Sequence, residues 1–106
     1  MNDREIFRRL AALARSRTAV CLATVVEAEG STPRGAGARM LVCVDGTQFG
    51  SVGGGCGEDT VRSAAFRALL STTRPELVEV ELNDESGNRG ADVCGGRMRV
   101  FVQPFL

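Results

Sequence analysis

Gly50-Ser51-Val52-Gly53-Gly54-Gly55-Cys56-Gly57-Glu58 is the stretch on which the reading of this chain turns. It sets five glycines and one cysteine between a strand-like run and a helix-like run. Glycine gives up more backbone freedom on folding than any other residue, so this density implies a tight turn or a close approach to the main chain. Downstream, Glu58, Asp59, Val61, Ala65, Ala68 and Leu69 read as an amphipathic helix with acids in its first turn. A helix is therefore predicted to start near Gly57. First-turn N–H groups have no partner inside a helix, which makes such a start a natural anion site. Cys56 stands at that positive end, where thiolate is favoured over thiol. The same pattern also serves a plain strand-to-helix turn around a small residue.

Upstream, residues 38–44 and 48–52 read as strands, and Asp45-Gly46 between them predicts an antiparallel hairpin. Residues 30–37 form a loop by composition. Residues 18–27 are a continuous apolar strand, suited to burial on both faces. Residues 3–15 are a helix, with Ile6, Leu10, Leu13 and Ala14 at helical spacing and Asn2 or Asp3 as its cap. Downstream of the glycine turn, the helix runs to about residue 70 and Pro75 closes the segment. Residues 77–82 alternate apolar side chains with Glu79 and Glu81, and residues 97–102 mirror them with Arg97 and Arg99. Paired antiparallel, the two glutamates face the two arginines. The order α-β-β-β-α-β-β implies an α/β (α+β) fold. One domain over residues 1–106 is expected, with a mixed sheet of about five strands and two packed helices.

Hydrophobic residues are 43% and charged residues 25%, as in ordinary globular proteins, and the formal net charge is zero. A general affinity for nucleic acid or for a membrane surface is therefore not expected. No apolar run is long enough to span a bilayer, and the charged start Met1-Asn2-Asp3-Arg4-Glu5 lacks a signal-peptide core, so a cytoplasmic location is expected. All thirteen basic residues are arginine, and histidine, tryptophan and tyrosine are absent. That removes Ser-His and Cys-His pairs, His-ligated zinc and Schiff-base lysine. Cys21 and Cys43 lie in apolar strand runs and read as small core hydrophobes. Cys56 and Cys94 differ, because glycines lie beside or close to each.

Three segments have unusual composition: 30–37, 53–58 and 83–96. Together they hold Ser31, Thr32, Arg34, Cys56, Glu58, Arg89, Cys94 and many backbone N–H groups. If they converge, the pocket offers anion-binding amides, an arginine and two thiols, which suits an anionic ligand carrying a soft metal or sulfur. A P-loop is excluded, and Gly53-Gly54-Gly55-Cys56-Gly57 does not match the dinucleotide fingerprint.

Gly30-Ser31-Thr32-Pro33-Arg34, Gly37-Ala38-Arg39-Met40-Leu41-Val42, Gly50-Ser51-Val52-Gly53-Gly54-Gly55-Cys56 and Cys94-Gly95-Gly96 resemble the XdhC/CoxI family over nearly the whole chain. The resemblance implies an accessory protein, not an enzyme, for a molybdenum hydroxylase of the xanthine dehydrogenase or carbon monoxide dehydrogenase kind. It implies transient binding of molybdenum cofactor (molybdopterin), help with its sulfuration beside a cysteine desulfurase, and delivery to the apoenzyme. Many members carry a second, Rossmann-like domain; this chain is expected to hold the N-terminal module only, working as a homodimer or with a separate Rossmann-domain accessory chain. On this resemblance, Ser31, Thr32, Arg34, Gly53, Gly54, Gly55, Cys56, Cys94, Gly95 and Gly96 are the candidate cofactor-binding residues. Cys56 and Cys94 are the candidates for contact with molybdenum or its labile sulfur, and Arg34 with the glycine-turn amides for the pterin phosphate.

Two other functions fit the same residues. A thiol redox protein would pair Cys56 with Cys94, which requires Cα atoms within about 7 Å. A non-catalytic interaction subunit of a two-chain accessory complex would leave both thiols dispensable and keep an apolar surface for its partner.

Overall fold

The apolar run that begins at Val20 takes the middle of a sheet, as its burial on both faces requires. The computed structural model describes residues 1–30, 35–53, 55–82 and 96–106, and nothing of the Gly55 and Cys56 side chains. Its elements are α1 (Asp3–Arg15), β1 (Val20–Glu29), β2 (Arg39–Cys43), β3 (Gln48–Gly50), α2 (Gly55–Arg67), a π-helical turn (Ala68–Thr72), β4 (Glu76–Leu82) and β5 (Gly96–Phe105). The strand order is β3-β2-β1-β5-β4. Five strands and two helices in one α+β domain match the expectation. The pairing differs from the mixed sheet expected, because every described pair is antiparallel. The reason lies in where α2 leads. It carries the chain from β3 at one edge of the sheet to β4 at the other, so these two like-directed strands are never neighbours.

Local chemistry sets the boundaries. Asn2 caps α1 by accepting the Glu5 N–H, while the Glu5 carboxylate accepts the Asn2 N–H. The helix ends with Arg17 in the left-handed region at φ 58°. Thr18 N–H donates to Leu13 O at 3.0 Å and Arg17 N–H to Ala14 O at 3.1 Å. These bonds close a helix-capping turn. They occupy Thr18, so β1 starts at Val20 and not at Thr18. Asp45-Gly46 makes the predicted hairpin turn, with Gly46 at φ +96° and the Thr47 N–H bound to Asp45 Oδ1 at 2.9 Å.

The sheet has two unequal apolar faces. Cys21, Ala23, Val25, Met40, Val42, Val80, Leu82, Met98, Val100 and Val102 face α2, where Val61, Ala64, Ala65, Ala68 and Leu69 close the main core. Val20, Leu22, Leu41 and Cys43 face the other way and meet Ile6, Leu10 and Leu13 of α1. A register shift between Val25 and Glu27 inserts one extra residue in β1. The bulge keeps Ala28 on the α2 side and leaves Val26 49% exposed. Beyond it, Glu27 and Glu79 flank Arg99 at 3.5 and 3.2 Å, and Glu81 lies 3.8 Å from Arg97. The predicted facing of glutamates and arginines on β4 and β5 is therefore present, with Glu79 opposite Arg99 and Glu81 opposite Arg97. No helix of the described residues is long and apolar enough to cross a membrane.

Candidate functional site

Strand direction points the connections after β1, β3 and β4 to one edge of the sheet. β1, β3 and β4 all run the same way, because each is separated from the next by one antiparallel partner. Their C-terminal ends therefore point to one edge, at two levels: Glu29 and Leu82 lie level with Arg97 and Gly96, whereas Gly50, through Met40, Ala23 and Val102, lies level with Glu76 at the start of β4. The connections after β1, β3 and β4 all leave towards that edge. α2 begins towards it by Leu82 and Met98, which Gly57 meets, and α1 by Gly50, where Asp3 reaches Arg39 with a 2.8 Å ion pair. Two helix N-termini thus turn their positive ends to the same edge.

Two glycines show why the sequence is glycine-rich here. Gly50 has φ +77°, and a Cβ on it would stand 2.7 Å from Arg39 O and 2.9 Å from Ile6 Cδ1. Gly57 lies where α2 presses onto the ends of β4 and β5; a Cβ there would sit 2.5 Å from Leu82 Cδ2. The glycines thus bring the helix start and the strand ends together.

The turn into α2 is held by side chains. The Ser51 hydroxyl donates to Glu58 Oε1 at 2.5 Å and accepts the Gly53 N–H at 2.9 Å. Gln48 Nε2 donates to Glu58 Oε2 at 2.9 Å, and Gln48 Oε1 accepts from Arg62 Nη1 at 2.7 Å. Both Glu58 oxygens are thus engaged on the hairpin although the residue lies in the first turn of the helix. Beside this turn, a cleft of about 350 Å³ is lined by residues that include Asn2, Asp3, Gly37, Arg39, Gly50 and Ser51. Arg39 Nε is buried with no hydrogen-bond partner among the described atoms, while its guanidinium lies 5.1 Å from the Phe7 ring centre.

Of the candidate residues, Gly53 lies in the turn, Gly55 and Cys56 open α2, and Gly96 opens β5. Ser31, Thr32, Arg34, Gly54, Cys94 and Gly95 lie outside the described residues, as does the Cys56 side chain. The expected nearness of Cys56, Cys94 and Arg34 lies outside them too. Sequence reasoning missed Gln48, Ser51 and Arg62 as organisers of the turn. Gln48 and Ser51 carry no motif, and their link to Glu58 exists only once β3 and α2 are packed. Cys21 and Cys43 are buried and play no part at this edge. Burial pushes the Cys21 thiol up to about 11, and raises that of Cys43 with help from Asp45.

The sequence and fold both have relatives. The chain is 34% identical over 97 residues to the uncharacterised protein YqeB of Escherichia coli (strain K12), which covers 92% of this chain and 18% of that protein. It is 38% identical over 97 residues to a probable xanthine dehydrogenase subunit of Bacillus subtilis (strain 168), covering 89% of this chain and 29% of that protein. A crystal structure described as a xanthine dehydrogenase from Bacillus halodurans superposes with a TM-score of 0.76 at 31% identity, over 98% of this chain and 30% of that chain. The chain thus spans less than a third of the length of each of these relatives. The family model for XdhC and CoxI matches residues 13–81, from the end of α1 through most of β4. The chain belongs to the XdhC and CoxI family.

Proposed function

We propose that this domain is an accessory module, not an enzyme, for a molybdenum hydroxylase. In this reading it binds molybdenum cofactor transiently at the shared edge of the sheet, aids its sulfuration and passes it to the apoenzyme. One observation carries the reading: the three strands that lead into the segments holding its arginine, glycines and thiols all run in one direction and point those segments to the same edge. The described residues there fit an anionic group. The first-turn N–H groups of α2 have no partner within the helix, and Arg39 Nε, beside an open cleft, is a buried donor with no acceptor among the described residues. Arg34 and the amides of Gly55, Cys56 and Gly57 would hold the phosphate, with Ser31, Thr32, Gly53, Gly54, Gly95 and Gly96 shaping the seat. Cys56 and Cys94 would meet the metal or its sulfur. When bound, the group supplies a molybdenum centre with an exchangeable sulfur. The xanthine dehydrogenase descriptions of the Bacillus subtilis and Bacillus halodurans relatives support that type of client. Proposed partners are that apoenzyme, a cysteine desulfurase, a second copy of the chain and a separate Rossmann-domain accessory chain.

The test is Cys56→Ser assayed two ways, by thermal melting and by reactivation of a molybdenum hydroxylase apoenzyme in a reconstituted maturation system. Cys56→Ser is expected to melt near wild type and to lose reactivation, because a hydroxyl at that helix start is neither a soft ligand nor a sulfur acceptor. Full reactivation by Cys56→Ser would show that the thiol is not a ligand.

A further inference from the structure

We infer that Glu58 is a positioning residue, whose carboxylate clamps the β3 end to α2 and so sets the backbone from Ser51 to Gly53 against the start of α2. The inference rests on the reading of that turn as ligand-binding. An acid in the first turn of a helix ordinarily serves the helix dipole. Here both carboxylate oxygens accept bonds from the hairpin: Ser51 Oγ on Oε1 and Gln48 Nε2 on Oε2. Each bond passes its constraint onward. Ser51 Oγ accepts the Gly53 N–H at 2.9 Å, which orients the first glycine of the turn. Gln48 Oε1 accepts from Arg62 Nη1 at 2.7 Å, which fixes which end of the Gln48 amide meets Glu58. Every group in this chain of four side chains is half-buried, where charge-assisted bonds hold better than in open solvent.

Glu58 also lies within one helical turn of the amides proposed to bind an anion. Left free there, its charge would compete with the ligand. Engaged on the hairpin by two donors, it is drawn towards Ser51 and Gln48. The clamp therefore organises the turn and holds a carboxylate in a fixed place beside the anion seat.

The polarity of the network supplies a rescue test. In E58Q the new amide nitrogen must face either Gln48 Nε2, donor against donor, or Ser51, whose own proton then loses its acceptor. Turning the Gln48 amide over sets its nitrogen against Arg62. The reversed pair Q48E/E58Q exchanges the two groups, placing the amide on α2 and the carboxylate on β3. The amide then donates to the carboxylate and still accepts from Ser51, and the carboxylate takes the Arg62 bond; only the 3.2 Å bond from Gln48 Nε2 to Gly50 O is lost.

Three quantities are measured on the full chain: melting temperature, hydrogen exchange of the Gly53 amide by NMR, and equilibrium binding of purified molybdenum cofactor. In E58Q, Gly53 exchange is expected to rise about tenfold and cofactor binding to weaken about tenfold, with melting within a few degrees of wild type. The reversed pair is expected to recover more than half of each change, with the loss of the Gly50 bond accounting for the remainder. If E58Q melts far below wild type, S51A, which removes only the hydroxyl link, takes its place with the same expected changes. Cofactor binding unchanged in E58Q overturns the positioning role, and so does a reversed pair as defective as E58Q. If the wild-type chain binds no cofactor, the ligand reading fails by itself. The clamp then stands or falls on whether Gly53 exchange rises in E58Q and recovers in the reversed pair.

Discussion

Cys21 and Cys43 show how position, not residue type, sets what a side chain does. Cys21 is 0% exposed in the main core, and Cys43 is 2% exposed beneath α1. Both act as small hydrophobes, as their apolar neighbours in sequence indicate. The pH dependence of stability follows. The Cys21 thiol has an ordinary value of 9.0 and rises to about 11 in the fold, so the folded state holds the proton longer than the unfolded one. Its contribution is fully present below pH 9.0 and is lost as pH rises through about 11. Stability should therefore fall by roughly 2–3 kcal/mol across that interval. Urea unfolding at a series of alkaline pH values checks it, with Cys21→Ala as the control that flattens this part of the curve. At the same scale, Glu58 looks in sequence like a plain helix-start acid. Only the packed hairpin reveals its second role, because its partners Gln48 and Ser51 are ten and seven residues away along the chain.

Among the elements, the β2–β3 hairpin was the most legible. Asp45-Gly46 requires a residue with φ > 0 between two apolar runs, and that chemistry is local. The β4–β5 register was legible as well, because Glu79 and Glu81 find Arg99 and Arg97 only in one alignment. These pairs are exposed, and each adds well under about 1 kcal/mol, so they mark register more than they hold the fold. The bulge in β1 was not legible, since nothing in Val25-Val26-Glu27 distinguishes it from regular alternation. The end of β3 gives the sharpest element-scale prediction. Gly50→Ala must hold φ +77° with a Cβ placed 2.7 Å from a backbone oxygen, where no side-chain rotation relieves the contact. It should cost roughly 2–4 kcal/mol from left-handed strain and overpacking together. Thermal melting checks the value. A melting temperature equal to wild type would show that the β3 end does not carry the constraint assigned to it.

At the scale of the molecule, the order of elements could be read from periodicity, but the order of strands in the sheet could not. A helix between β3 and β4 suggests a parallel crossover to a neighbour; instead α2 spans the sheet from one edge strand to the other. That long-range choice is decided by burial of two sheet faces at once, which no local window contains. It also gives β1, β3 and β4 one direction, so the connections after them point to one edge and the three compositional oddities are read as one candidate site. The central claim is that this edge binds molybdenum cofactor. The direct measurement is retention of purified cofactor by the purified chain on gel filtration, with Cys56→Ala as the comparison. The account predicts that cofactor coelutes with the wild-type chain and that Cys56→Ala retains at least about tenfold less. Cofactor that elutes free of the wild-type chain, or equal retention by Cys56→Ala, would contradict it.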